Sequence, residues 1–226
     1  MTDVRTLTPE EAAAVYDRIG RAQDTQAFYE TPAVDILIEH GAFGTAHTIL
    51  EVGCGTGRVA ERLLREYCAA ETQYLGVDVS ARMTQIARIR LSAYSDRATV
   101  EQTDGAFAFD VSSASQDRVV ATYVLDLLAP DAIQRVLDEA HRLLRADGRL
   151  CLAGLTWGTR PIGRLVSVGW AAVHRLRPEW VGGCRPLRMR PFLPDDKWEV
   201  VHHEQVQAWG VPSEVLIATP RTAIAG

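Results

Sequence analysis

The chain has 226 residues, 47% of them hydrophobic, with a formal net charge of −5 at pH 7. That length and apolar content suffice for one buried core without staples, and the acidic balance argues against a nucleic-acid partner, since phosphate binding needs a basic face. The four cysteines, Cys54, Cys68, Cys151 and Cys184, form no C-x-x-C pair, so neither a disulfide framework nor a zinc site is expected, and no metal is called for.

The first residues, MTDVRTLTPEEAAAV, carry acids where a signal peptide needs a basic start, and no apolar run approaches a membrane span. A soluble, cytoplasmic protein is the expectation. Thr8 and Glu11 form a capping box with Pro9 at the first helical position, which predicts a helix from Pro9 to about Ile19. A second helix is expected from near Pro32 to Gly41.

From there strands and helices alternate. HTILEV reads as a strand, GRVAERLLREYC as a helix, TQYLGVDV as a strand, SARMTQIARIRLSAY as a helix, ATVEQTD and DRVVATYVL as strands. Ile133, Val136, Leu137, Ala140, Leu143 and Leu144 share one face of the next helix, and RLCLAGL follows as a strand. The pattern is irregular from Trp157 to about Lys197, then WEVVHHEQVQAW and SEVLIATP close the chain as a hairpin with Gly-Val-Pro at its turn. Such alternation predicts a mostly parallel sheet with helices on both faces.

The chemistry concentrates after the first strand, in EVGCGTGRV. Gly53, Gly55 and Gly57 allow close backbone approach to a ligand at the carboxyl edge of the sheet. The dinucleotide fingerprint needs a glycine where Arg58 stands, and a phosphate-binding loop needs Lys and Ser or Thr after Gly57, where Arg58 and Val59 stand. A carboxylate at Glu51, just ahead of the loop, repels pyrophosphate and suits ammonium or hydroxyl donors. Asp78 ends the second strand, where an acid accepts from a ribose diol, and Asp104 with Gly105 ends the third, where a carboxylate can accept from an adenine amine. Each aspartate alone is equally well a turn residue.

These segments, taken in order from Thr48 to Leu155, resemble the class I S-adenosylmethionine-dependent methyltransferases. ILEVGCGTG looks like their first motif, YLGVDVS the second, TDGAF the third, DRVVATYVLDLL the fourth, and EAHRLLRADGRLCL the segment around the fifth strand, with Ala146 and Asp147 where Pro and Gly are usual. The resemblance implies S-adenosylmethionine as cofactor. Glu51, Gly53, Cys54, Gly55 and Gly57 would line its methionine moiety, Asp78 with Val79 its ribose, and Met83, Asp104, Gly105 and Ala106 its adenine, with Tyr123 alongside. It also implies a Rossmann-like α/β fold: a seven-stranded, mostly parallel sheet ending in an antiparallel hairpin, as a single domain over residues 1–226 with a helical lid over 1–45 and a substrate-side insertion over 157–197.

The acceptor side carries no motif of that specificity. Asp126, Tyr123 and Tyr16 are the candidate catalytic residues, Asp126 because an acid between Leu125 and Leu127 has no obvious packing role, although a helix cap would also place it there. Tyr29, Trp157 and Arg185 are the candidate substrate contacts. The amino-methylating DNA enzymes carry an Asp/Asn-Pro-Pro-Tyr motif that ATYVLDLL lacks. Residues 157–190 hold seven arginines against one acid, Glu179, which suggests recognition of an anionic acceptor or peripheral contact with an anionic membrane. In this segment Ile162, Leu165, Val166, Trp170, Val173 and Leu176 form a stripe expected to pack on the body with the arginines outward. His202 and His203 are adjacent in a strand and so face opposite ways, which argues against a paired metal site. The expected activity is methyl transfer to a small-molecule or lipid-like acceptor; a nicotinamide-dependent oxidoreductase and a non-catalytic cofactor-binding subunit are the rivals.

Overall fold

The structure is a computed structural model and describes residues 6–221. Thr8 Oγ1 accepts from Glu11 N and Glu11 Oε2 accepts from Thr8 N, opening helix α1 (Pro9–Ile19) with the capping box read from the sequence. Helix α2 (Ala27–Gly41) begins five residues earlier than Pro32 suggested, out of a 3-10 segment Gly20–Gln26. The reason is tertiary: the extra turn buries Tyr29, whose ring meets Tyr123 and Trp170 edge-on, so packing outweighs the missing N–H of Pro32 inside the helix.

The remaining elements alternate as expected: β1 (Thr48–Val52), α3 (Arg58–Glu66), β2 (Gln73–Asp78), α4 (Ala81–Arg90), β3 (Ala98–Gln102), β4 (Gln116–Thr122), α5 (Pro130–Leu143), β5 (Leu144–Leu155), α6 (Pro161–Leu176), β6 (Trp198–Ala208) and β7 (Val211–Pro220). They form one seven-stranded sheet in the order β3-β2-β1-β4-β5-β7-β6, parallel except for β7, which runs antiparallel to both β5 and β6. The turn of the closing hairpin differs from the expected Gly-Val-Pro. Trp209 and Gly210 both take positive φ, +53° and +86°, and make the two-residue turn, while Val211 and Pro212 already belong to β7.

Strand periodicity divides the core into two layers. Leu50, Leu150, Leu152 and Leu216 pack with α5 on one face, whereas Ile49, Cys151, Ala153, Val215 and Ile217 pack with α2, α3 and α4 on the other. The four cysteines are all free. Among the described residues no helix is long and apolar enough to cross a membrane. On β6, His203 Nε2 lies 2.6 Å from Glu214 Oε1, while His202 stacks on His40 of α2 with ring centroids 3.6 Å apart, so the two histidines do face opposite ways.

One buried cation joins the layers. Arg118 of β4, 5% exposed, donates to the carbonyl oxygens of Gly41, Ala42 and Asp117 and to Thr45 Oγ1, closing the C-terminus of α2 where Ala42 turns left-handed at φ +51°. Arg118→Leu leaves those buried carbonyls without a donor. The expected result is a loss of about 3 kcal/mol in urea-unfolding free energy with an unchanged slope.

Candidate active site

The carboxyl ends of β1, β2 and β4 open into a cavity of about 340 Å³ whose remaining wall comes from the N-terminal segment. Three glycine conformations shape its floor. Gly53, Gly55 and Gly57 have φ of +70°, +54° and +75°, a run that side-chain-bearing residues rarely adopt. A Cβ on Gly53 would stand 2.3 Å from Val124 Cγ2, so the loop has no room for one. Gly57 serves packing instead: it lies outside the cavity wall, and its Cβ would meet Ala87 of α4 at 3.1 Å.

Asp78 holds this turn in place. Its Oδ2 accepts from Gly55 N at 2.9 Å and its Oδ1 from Ser80 N at 2.9 Å, tying the loop after β1 to the loop after β2. Glu51 is buried beside it, with Oε2 accepting from Tyr74 OH at 2.6 Å. Burial raises Glu51 to about 7, the Tyr74 hydrogen bond opposing that shift and the neighbouring Asp78 charge adding to it. Burial raises Asp78 as well. The start of α3 carries no side-chain cap, which leaves the helix end facing this floor.

The N-terminal segment forms the roof. Thr6, Leu7, Thr8, Pro9, Ala12 and Tyr16 line the cavity, and Pro9 fills the space beside Gly105, where a Cβ would approach it to 2.9 Å. Three polar links pin the roof to the floor. Asp17 Oδ1 accepts from Ser80 Oγ at 2.5 Å, Asp24 Oδ1 accepts from Thr56 Oγ1 at 2.6 Å while its Oδ2 pairs with Arg90, and Glu30 Oε2 lies 2.5 Å from Arg58 Nη2. Burial pushes Glu30 up to about 7 although Arg58 opposes the shift.

Of the residues singled out in the sequence for a cofactor, Glu51, Gly53, Cys54, Gly55, Asp78, Val79, Gly105 and Tyr123 line the cavity. Gly57, Met83, Asp104 and Ala106 do not. Met83 is fully buried in the packing of α4, and Asp104 is exposed, its Oδ1 accepting from Ala106 N in a local turn.

Tyr16 and Tyr123 both face the cavity, but burial raises each hydroxyl above the ordinary tyrosine range, so both keep their protons at neutral pH. Tyr123 sits at φ +56° just past β4, with its hydroxyl 2.9 Å from Ser213 Oγ.

The acceptor-side expectations need correction. Asp126 is 1% exposed and turned away from the cavity: it lies in a 3-10 turn, Leu125–Leu127, where its Oδ2 accepts from Leu155 N at 3.0 Å. Arg185 is equally structural. Its guanidinium is buried and donates to the carbonyl oxygens of Asp126 and Leu128, so it braces the backbone behind the cavity wall. Tyr29 is buried with its hydroxyl on Gln26, and Trp157 borders a separate shallow hollow with Pro186, Leu187 and Arg188.

Glu30 and Asp24 were not singled out in the sequence, because residues of the N-terminal helical segments lie far from any motif and carry no spacing signal; Thr56, within the glycine loop, gains its place through Asp24. The segment Leu127, Leu128, Ala129 and Ala132, together with Phe107, adds an apolar wall.

His40, His202 and Glu204 bring one ligand atom each within 4.8 Å of one another. The two imidazoles lie nearly parallel, at 13°, so a single ion cannot lie in the plane of both rings.

Residues 49–148 match the family model described as a methyltransferase domain. The chain is 32% identical over 126 residues to the tRNA N(3)-methylcytidine methyltransferase Mettl2 of Drosophila melanogaster, covering 54% of this chain and 39% of that protein. It is 25% identical over 174 residues to the malonyl-[acyl-carrier protein] O-methyltransferase of Erwinia pyrifoliae, covering 77% and 61%. It thus spans less than two thirds of either relative. A solved structure of similar fold is the geranyl diphosphate C-methyltransferase of Streptomyces coelicolor A3(2), with Mg2+, geranyl diphosphate and S-adenosyl-L-homocysteine: TM-score 0.70, 13% identity, 97% of this chain and 100% of that one.

The raised carboxyl of Glu51 has a sign that can be tested. Its folded value of about 7 lies above the ordinary 4.5, so between these values folding takes up a proton and stability falls as pH rises. Glu51→Gln removes this opposition while keeping an acceptor for Tyr74. Its unfolding free energy is expected to exceed that of the unsubstituted protein above pH 7, by on the order of 3 kcal/mol at most, and to converge with it below pH 4.5.

Proposed function

We propose, from the premise that this chain belongs to the class I S-adenosylmethionine-dependent methyltransferases, that it transfers a methyl group from S-adenosylmethionine to a small, largely apolar acceptor. The observation that carries the reading is the juxtaposition of Glu51, Asp78 and the left-handed glycine turn on one cavity floor. The residues present fit the cofactor. Two buried carboxylates suit an ammonium and a ribose diol, the uncapped start of α3 suits a carboxylate, and an added Cβ on Gly55 would stand in open space at the floor, with nothing within 4 Å.

When bound, the sulfonium supplies an already activated methyl group, so the protein has to hold, orient and dry the acceptor. Asp78 keeps lone pairs for ribose hydroxyls beyond those engaged by Gly55 and Ser80. Glu51 accepts from the ammonium. Roof residues Leu7, Pro9 and Ala12 exclude water from above, while Phe107, Leu127, Leu128 and Ala132 form the wall against which the acceptor lies. Tyr16 and Tyr123 keep their protons and shape the wall with their rings, the Tyr123 hydroxyl resting on Ser213 Oγ and that of Tyr16 near Cys184 Sγ. Glu30, raised to about 7, is the carboxylate suited to take a proton from an acceptor that must lose one.

An apolar acceptor is favoured over an anionic one. The buried Arg185 is committed to backbone carbonyls, and the cavity's own cations, Arg58 and Arg135, each pair with a carboxylate. Proteins named for malonyl-acyl-carrier protein and geranyl diphosphate support an acyl or prenyl chain as the part of the acceptor that lies on the apolar wall, whatever charge its other end carries, and the net charge of −5 supports a small molecule over a nucleic acid.

Calorimetry with S-adenosylhomocysteine and with NADH tests the cofactor. Binding of the former alone supports the reading; binding of NADH alone overturns it. Asp78→Ala is expected to weaken S-adenosylhomocysteine at least about tenfold, the loss of one hydrogen bond to a charged group. With labelled S-adenosylmethionine and an acyl or prenyl acceptor panel, Glu30→Gln is expected to lower kcat about a hundredfold for hydroxyl or carbon acceptors and to leave S-adenosylhomocysteine binding unchanged. Cofactor binding without transfer to any acceptor would indicate a non-catalytic subunit.

A further inference from the structure

Helix α6 leaves much of its apolar stripe facing outward. Its inner face carries Gly163, Ser167 and His174, all buried. Ser167 Oγ accepts from Gly158 N, His174 Nε2 lies 3.1 Å from the carbonyl of Gly183, and Trp170 Nε1 donates to the carbonyl of Cys184. A Cβ on Gly163 would stand 2.4 Å from Gln207, so the helix is pressed against β6 through its smallest residue. The apolar stripe read from the sequence is therefore split: Val166 and Trp170 are half-buried against the Tyr29 and Tyr123 cluster, while its other members face outward. Ile162, Leu165, Val168 and Leu176 are 66%, 75%, 57% and 74% exposed.

At 100° per residue these side chains fall on one outward arc, with Arg164 and Arg175 together along one margin. A tryptophan stands at each end. Trp209 is 83% exposed at the hairpin tip, where neighbouring Gly210 adjoins Val166 and Ile162, and Trp180 is 74% exposed just beyond the helix. Arg160, Arg177 and Arg188 are also exposed around this face, and the segment's acid, Glu179, lies 3.5 Å from Arg177. A protein of net charge −5 thus concentrates cations around an exposed aliphatic stripe.

We infer that the outer face of α6, with Trp180 and Trp209, docks on an anionic membrane surface. An aliphatic arc edged by arginines is the pattern that buries its apolar side at the acyl boundary while cations meet headgroup phosphates. Tryptophan at both ends suits the interface, where one edge of the indole is apolar and the other wet. Charge complementarity selects anionic lipid. The inference does not rest on methyl transfer; it also brings the docked face within one aromatic layer of the cavity, since Trp170 meets Tyr29 and Tyr29 meets Tyr123.

The test is co-sedimentation of the full chain with vesicles of phosphatidylcholine mixed with phosphatidylserine, against vesicles of phosphatidylcholine alone. The expected result is sedimentation with the mixed vesicles only, reduced at least about tenfold by Leu165→Glu with Leu176→Glu, and similarly by Arg164→Glu with Arg175→Glu or by raised salt. Both pairs are exposed, and a melting temperature equal to the unsubstituted protein's verifies that the variants fold. Absence of sedimentation, equal binding to both vesicle types, or binding undiminished in either variant overturns the proposal. So does light scattering that shows a dimer split by Leu165→Glu without vesicle binding, since the face would then join two copies of the chain.

Discussion

The carboxylate of Asp78 is the contact on which the site depends. By accepting from Gly55 N and Ser80 N, it fixes two loops that leave neighbouring parallel strands, β1 and β2, and otherwise share few bonds. The turn it holds runs through three left-handed residues, which glycine adopts without the steric cost that a side chain brings. Without that anchor the floor of the cavity would have to find its shape from loop backbone alone. With it, Glu51 and the start of α3 are presented toward the same space.

The roof is attached by a different kind of interaction. Helix α1 has no fully buried residue, and the N-terminal segment reaches the floor mainly through Asp17–Ser80, Asp24 with Thr56 and Arg90, and Glu30–Arg58. Pairs that remain partly solvated contribute little each, whereas α2 is held by Ala33, Val34, Leu37 and Ile38 in the core. Opening α1 therefore costs less than disturbing any strand, which suits a wall that must admit a ligand. Glu30 belongs to both systems, since it lies on the well-packed helix and yet fronts the cavity.

The arginines of residues 157–190 resolve into unlike roles. Arg185 turned inward and became a backbone brace, while Arg160, Arg164, Arg175, Arg177 and Arg188 stayed at the surface. The split of α6 has the same origin. Its inner contacts are the Gly158–Ser167, Trp170–Cys184 and His174–Gly183 hydrogen bonds, close packing at Gly163 and the half-buried Val166 and Trp170, so Ile162, Leu165, Val168 and Leu176 stayed exposed.

Read from sequence alone, the alternation of strand and helix, the capping box at Thr8, the glycine turn and Asp78 were legible, because each is decided by neighbours within a few residues. The mostly parallel sheet and its antiparallel closing hairpin follow that reading, while the strand order came only with the tertiary structure. What remained hidden depended on partners far along the chain. Asp126 reads locally as a reactive acid, but Leu155 N, 29 residues away, claims it. Glu30 gained its place from Arg58 and its raised carboxyl from burial, which Arg58 opposes. Which face of α6 points inward was set by the hairpin and the Gly183–Cys184 carbonyls. Periodicity reports that a helix has two faces; only the surfaces it meets decide which of them is buried.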